Sequence, residues 1–131
     1  GIADKVYFDG ILPSGEKVFS WLDNIDIYIQ PSKQEGLPRA LIEAMSRGCP
    51  AIGSRTAGIP ELLEEEAIHL KGNSKDLAEK IEQLILDKNL MIELSKKNFF
   101  KSKEYTKDIL DEKRHAFLTE FKGNAQKMLV N

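Results

Sequence analysis

Cysteine occurs once in this sequence, at Cys49, so no internal disulfide can form and no cysteine-based zinc site is available. A lone thiol suits a reducing compartment, and the cytoplasm is the expected location. An excess of one charge is also lacking: 21 acidic residues stand against 19 basic ones, for a formal net charge of −2. The two signs are interspersed, which leaves no chain-wide positive field to hold nucleic acid and sets DNA and RNA aside as partners. There is no apolar run long enough to span a bilayer, and the opening stretch GIADKVYFDG lacks the basic start and apolar middle of a secretory signal. Histidine occurs twice, at His69 and His115, neither with a partner at metal-ligand spacing, so no metal and no cofactor are expected.

What is present is ordinary for a globular chain. Of 131 residues, 41% are hydrophobic and 31% charged, a size and mixture that fit one domain with a core of its own. Four β-rich runs recur, KVYFD at 5–9, DIYIQ at 26–30, PAIGS at 50–54 and AIHL at 67–70, each followed by turn residues and a helical pattern. That alternation predicts an α/β fold, a Rossmann-like parallel sheet of about four strands with flanking helices.

Between the first two runs, Ser14 is placed to cap a helix in which Val18, Phe19 and Leu22 recur, with Val18 and Leu22 facing the sheet. Pro38 suits the first position of the next helix, because its missing N–H has no intrahelical partner there. Ala40, Leu41, Ala44 and Met45 form an apolar stripe, and Gly48 is placed to stop it. Pro60 opens a brief helical segment. From Ser74, predicted as a cap, Leu77, Ala78, Ile81, Leu84 and Ile85 mark a helix face. The remainder reads as a helical tail, with Leu90, Met91, Leu94 and Asn98 on one face and then Ile109, Leu110, Phe117 and Phe121. The expected division is residues 1–73 as an α/β core and 74–131 as mainly helical, within one domain. Lysines at 88, 96, 97, 101, 103 and 107 raise the prospect of a lipid-docking helix, but Glu93, Glu104, Asp108 and Asp111 interrupt them, and a solvated face is the expectation.

The most informative stretch is 26–62, DIYIQPSKQEGLPRALIEAMSRGCPAIGSRTAGIPEL. Ligands of open α/β sheets bind where loops leave the carboxyl ends of strands for helix N-termini, which is the place of PSKQEG. Gly36 lets a ligand approach the backbone, and the helix opening at Pro38 offers the amides of Arg39 and Ala40 with the positive end of its dipole. Glu35 and Glu43 hold two carboxylates at different depths on this scaffold, and carboxylates accept hydrogen bonds from vicinal hydroxyls. In a glutamate-rich chain that spacing alone decides nothing; the whole string does.

The string PSKQEGLPRALIEAMSRGCPAIGSRTAGIPEL resembles, nearly position by position, the Glu-x7-Glu segment of group 1 retaining glycosyltransferases of the GT-B fold. FDG at 8–10 and Asp26, Pro31 and Ser32 resemble two further family features, and the likeness covers about residues 5–87. It implies the C-terminal, donor-binding part of an enzyme that moves a sugar from a nucleotide-diphosphate sugar, UDP- or GDP-linked, to a glycan or lipid acceptor. Glu43 would bond the ribose hydroxyls. Glu35, at the catalytic position, would meet the transferred sugar near the reacting carbon, orienting the donor rather than attacking it. The amides of Gly36 and Leu37 would contact the sugar and those of Arg39 and Ala40 the diphosphate. Pro38 stands where many relatives have glycine and removes one donor. Gly10 and Ile11 would line the base pocket, with Gly10 otherwise a turn residue; Glu61 resembles a family glutamate, with a helix-terminal carboxylate as the plainer role.

The resemblance also implies two strands and an N-terminal acceptor-binding domain ahead of residue 5, so the chain as given is expected to be inactive alone. Strand 5–9 is then expected to pair with 26–30 by a right-handed crossover, or a second chain to cover the exposed edge as a dimer. The full-length protein is expected in the cytoplasm or in peripheral contact with the inner face of the membrane. Two rivals are a non-catalytic nucleotide-binding or interaction module on the same scaffold, and a phospho-receiver-like domain built on Asp9. His69 is expected to be a satisfied, partly buried histidine rather than a catalyst.

Overall fold

The computed structural model describes residues 1–129. Helix α1 is Glu16–Leu22, strand β1 Tyr28–Gln30, helix α2 Arg39–Ser46, strand β2 Ala51–Ser54, helix α3 Ile59–Leu62, strand β3 Ile68–His69, and helices α4 Ser74–Leu86, α5 Lys88–Ser102 and α6 Lys107–Leu129 complete the order. The expected helical tail runs on through residues 130 and 131, which lie outside the described residues. The sheet has the order β1-β2-β3 and is parallel throughout, with Tyr28 opposite Ala51 and Gly53 opposite Ile68.

Among the described residues three strands, not four, form the sheet. Residues 3–5 make a single 3-10 turn, and 6–10 are irregular, with Val6 47%, Tyr7 80% and Phe8 95% exposed. A strand is held by a neighbour's ladder and by burial of its faces, and KVYFD has neither here, so its β propensity goes unused. It does not pair with 26–30; among the described residues no strand pairs with the other edge of β1.

Strand β2 is central and buried at all four residues, as a parallel strand covered on both faces is. A Cβ on Gly53 would stand 2.4 Å from Ile59 Cγ2 and 3.0 Å from Leu63 Cδ1, so only glycine lets the turn after β2 fold back over it. Leu41 and Met45 of α2 pack with Ile52, Ile59, Leu84 and Leu94 in the main core. Each such side chain contributes roughly 1.5–3 kcal/mol by leaving water. A smaller cluster joins Leu22 of α1 to Ala44 and Cys49, with Val18, Phe19 and Tyr28 against it, so Val18 and Leu22 meet the α2 side as well as β1. Burial pushes the Cys49 thiol pKa up, which keeps it protonated and inert.

The ends of α2 are defined by backbone chemistry. At its C-terminus Gly48 takes φ 72°, its N–H bonding Met45 O at 2.9 Å while Cys49 N–H reaches Ala44 O at 3.1 Å, a Schellman stop. Asn98 of α5, 2% exposed, donates from Nδ2 to Cys49 O at 3.0 Å, and Ser95 Oγ donates to Gly48 O, so α5 clamps the turn that sets α2 against β2. Arg47 grips Asp23 through two bonds of 2.7 Å, tying the ends of α1 and α2 and holding the Asp23 carboxyl below its usual pKa.

Several predicted boundaries shift. Ser14 makes no cap bond; the residue at the start of α1 is Gly15, with φ 93°. Asn73, not Ser74, caps α4, its Oδ1 accepting from Lys75 N at 3.1 Å and Asp76 N at 3.0 Å. Ala40, Ala78 and Ile85 are exposed rather than part of a buried stripe. On α6, Phe117 and Phe121 stack at 6.4 Å but stay 66% and 63% exposed. Among the described residues no helix is long and apolar enough to cross a membrane.

Candidate functional site

The carboxyl ends of β1 and β2 release two loops, 31–38 and 55–58, that are stitched together. Ser54 Oγ donates to Ser32 O at 2.6 Å, and Gly58 N–H donates to Gly36 O at 3.0 Å. Ala57 takes φ 41°, the left-handed turn that brings Gly58 onto the first loop. The approach is close: a Cβ on Gly58 would lie 2.7 Å from Gly36 O and 3.2 Å from Leu37 Cα.

This docking fixes the entrance to α2. Pro38 is the N-cap rather than the first helical residue, with φ −74° and ψ 110°, and it supplies no side-chain cap. The first intrahelical bond runs from Ile42 N–H to Pro38 O at 3.2 Å. The amides of Arg39, Ala40 and Leu41 therefore have no partner among the described residues, as expected of an uncapped helix start. Gly36, Leu37, Arg39 and Ala40 are exposed. Free amides at the positive end of a helix suit a phosphate or carboxylate.

The two glutamates are held differently. Glu35 is half-buried and turned back on its own loop, where Oε2 accepts from Ser32 Oγ at 2.9 Å and from Gln30 Nε2 at 3.1 Å. Gln30 in turn accepts at Oε1 from the Tyr28 hydroxyl at 2.7 Å. Glu43, half-buried on α2, makes no ion pair among the described residues. Both bear on one group: the Tyr28 phenol is pushed above its usual pKa, first by burial and then by the charges of Glu35 and Glu43. The phenol stays protonated at neutral pH and can act only through its O–H and lone pairs.

A cleft of about 480 Å³ lies along the flank of α2. Leu37, Arg39, Ile42 and Glu43 line one side of it. Tyr105, Lys107, Leu110 and Arg114 line the other. Of the predicted site residues, the cleft thus brings together Leu37, Arg39 and Glu43. Glu35, Gly36 and Ala40 sit at the loop and helix entrance outside its lining, and Gly10 and Ile11 stand apart. Ile11 is 98% exposed, on a segment tied to α1 where Trp21 Nε1 donates to Asp9 Oδ2 at 2.9 Å. Asp9 ends no strand, which removes the premise of a phospho-receiver domain.

Glu61 is exposed in the first turn of α3 and lies outside the cleft lining. His115 is exposed on α6. His69 departs from expectation: it is 2% exposed, and among the described residues only Nδ1 is partnered, donating to Leu70 O at 2.9 Å, while Nε2 has no partner there. Residues that the sequence did not mark for this site are Tyr28, Gln30, Gly58 and Arg114; Lys107, expected on a solvated face, lines the cleft instead. Alternation along β1 places Tyr28 and Gln30 on one face, a usable signal; nothing local predicts that residues some 65–70 positions later return to α2.

Fold and site together define a Rossmann-like α/β unit with an open helix terminus at the carboxyl edge of a parallel sheet. The chain belongs to the glycosyl transferases group 1 family, whose model matches residues 1–99. It is 41% identical over 69 residues to the amylovoran biosynthesis glycosyltransferase AmsK of Erwinia amylovora, covering 48% of this chain and 17% of that one. It is 33% identical over 92 residues to N,N'-diacetylbacillosaminyl-diphospho-undecaprenol alpha-1,3-N-acetylgalactosaminyltransferase of Campylobacter jejuni, covering 68% and 24%. The chain spans about a fifth of the length of the curated relatives it matches. Sucrose-phosphate synthase of Thermosynechococcus elongatus superposes with a TM-score of 0.81 at 20% identity over 93% of this chain and 32% of that structure, a likeness of fold alone.

Proposed function

We propose that this chain is the donor-binding part of a retaining glycosyltransferase that moves a sugar from a UDP- or GDP-sugar to a glycan or lipid acceptor. The observation that carries the reading is the uncapped start of α2, with free amides at Arg39 and Ala40 and carboxylates on either side. In this reading Glu43 accepts from the ribose hydroxyls and Glu35 from the hydroxyls of the transferred sugar, near the reacting carbon. The amides of Gly36 and Leu37 meet the sugar, and those of Arg39 and Ala40 the diphosphate. Binding would free Glu35 from Gln30 and Ser32, so the apo bonds keep its carboxylate solvated by protein until hydroxyls replace them.

The names of the relatives support a glycan or lipid-linked acceptor: one is named for amylovoran biosynthesis, another for a diphospho-undecaprenol substrate. Catalysis requires a second domain that binds the acceptor, so this unit holds donor without turning it over. The reading takes the chain as one partial nucleotide-sugar-binding domain in the cytoplasm, at the inner face of the membrane in the full-length protein, with the open β1 edge available to a second copy. Titration calorimetry with UDP-, GDP- and ADP-sugars tests it. Sub-millimolar binding that is lost in Glu43→Ala supports the donor site; binding unchanged in that variant favours a module that uses the scaffold for another ligand.

A further inference from the structure

The α6 side of the cleft is built as deliberately as the α2 side. Tyr105 is half-buried against the main core, which fixes where α6 begins. From there Lys107, Leu110 and Arg114 recur at intervals of three and four, one face of a helix, opposite Arg39, Ile42 and Glu43 on a matching face of α2. Between the two stripes the cleft of about 480 Å³ is lined by three cations and one carboxylate.

Those charges are poorly compensated. Arg39 and Lys107 make no ion pair among the described residues, and Arg114 reaches only Asp111 on its own helix, at 3.0 Å. Like charges gathered around an open volume repel one another and raise the local concentration of anions. The cleft also begins at Leu37 and Arg39, where α2 leaves its first amides unpartnered, so two positive features of independent origin meet at one place.

We propose that Lys107 and Arg114 of α6, acting with Arg39, hold the diphosphate of the bound nucleotide, which makes the helical tail part of the donor site. The inference rests on the donor-site reading of the α2 entrance. A diphosphate presents several charged oxygens over a short span. Two guanidinium forks and an ammonium match it, the forks pairing two oxygens at once and the ammonium adding a movable point charge. The single carboxylate, Glu43, repels phosphate and accepts from hydroxyls. Within one cleft the cations therefore select the anionic part of the ligand and Glu43 its polyol part, which gives the ligand a direction.

The test measures affinity of the full chain for UDP, GDP, uridine, guanosine and inorganic pyrophosphate, in the parent, in a Lys107→Gln/Arg114→Gln double variant and in Glu43→Gln. Charged hydrogen bonds of this kind predict at least a tenfold loss of UDP or GDP affinity in the double variant, with nucleoside affinity unchanged and a weaker dependence on salt. Lys107→Arg should retain binding, and circular dichroism should show the helices intact, since both side chains are exposed. A double variant that binds UDP and GDP as the parent does, while Glu43→Gln weakens them, overturns the role of α6 and leaves the donor reading standing. Pyrophosphate bound as tightly as the nucleotides makes the cleft a site for free diphosphate and overturns its assignment to the donor. A parent that binds neither nucleotide nor nucleoside overturns both readings.

Discussion

Replacing Gly58 by alanine separates the integrity of the site from the stability of the fold. The added Cβ would lie 2.7 Å from Gly36 O, 3.1 Å from Leu37 Cδ1 and 3.2 Å from Leu37 Cα. Gly58 has φ −77°, which alanine adopts freely, so the effect is steric and not conformational. Two of the three atoms are backbone of the loop that enters α2, and backbone cannot rotate aside. Overpacking of this kind costs about 1–3 kcal/mol, and loss of the Gly58 N–H bond to Gly36 O adds about 1 kcal/mol. If the loop yields, that cost appears in ligand affinity, where 1–3 kcal/mol is roughly a fivefold to hundredfold rise in Kd. Gly53→Ala is the control. Its Cβ would stand 2.4 Å from Ile59 Cγ2 and 3.0 Å from Leu63 Cδ1, both core side chains, so it should lower the denaturation midpoint first and reach the α2 entrance only indirectly, through Ile59 and its neighbour Gly58. Urea denaturation and nucleotide-sugar calorimetry on both variants read the two effects. Parent-like affinity and stability in Gly58→Ala would refute the argument, because the loops would then not be in the contact described.

Other expectations follow from the same geometry. Asn98→Ala should destabilise by about 1–3 kcal/mol in urea, because it leaves Cys49 O buried without a donor and frees α5 from the α2–β2 turn. The Tyr28 phenol, held above its usual pKa by burial and by Glu35 and Glu43, should titrate nearer the usual value in Glu35→Gln/Glu43→Gln, read by tyrosinate absorbance in a Tyr7→Phe/Tyr105→Phe background. Because its folded pKa is raised, Tyr28 contributes stability that is present below pH 10.0 and is lost as pH rises through the folded value; the double variant should narrow that loss.

Much of the fold was legible because its signals are local. Gly48 could be read as the stop of α2 since a left-handed residue is needed where the helix reverses, and Leu41, Ala44 and Met45 could be read as core from their spacing. The errors arise where two neighbours compete or where a partner decides. Ser74 and Asn73 are both good caps, and the choice falls to the residue whose backbone is extended, Asn73 with ψ 97°. KVYFD has strand composition, but a strand is a pairwise object, and no described strand takes up its ladder. The site divides in the same way. The free amides of Arg39 and Ala40 were legible because they follow from the start of α2 itself, whereas the parts given to Gly36 and Leu37 came from the family resemblance. The tether of Glu35 to Gln30 and Ser32, the close approach of Gly58, and the return of Lys107 and Arg114 depend on contacts between segments, which no local pattern encodes.

The central claim is that the start of α2 receives the diphosphate and sugar of a sugar nucleotide, and amide chemical-shift mapping on isotope-labelled protein titrated with a UDP- or GDP-sugar measures it directly. The account predicts that the largest saturable shifts fall on the amides of Gly36, Leu37, Arg39 and Ala40, the four exposed residues at that entrance. Saturable shifts confined to other surfaces, with those four amides unmoved, would contradict it.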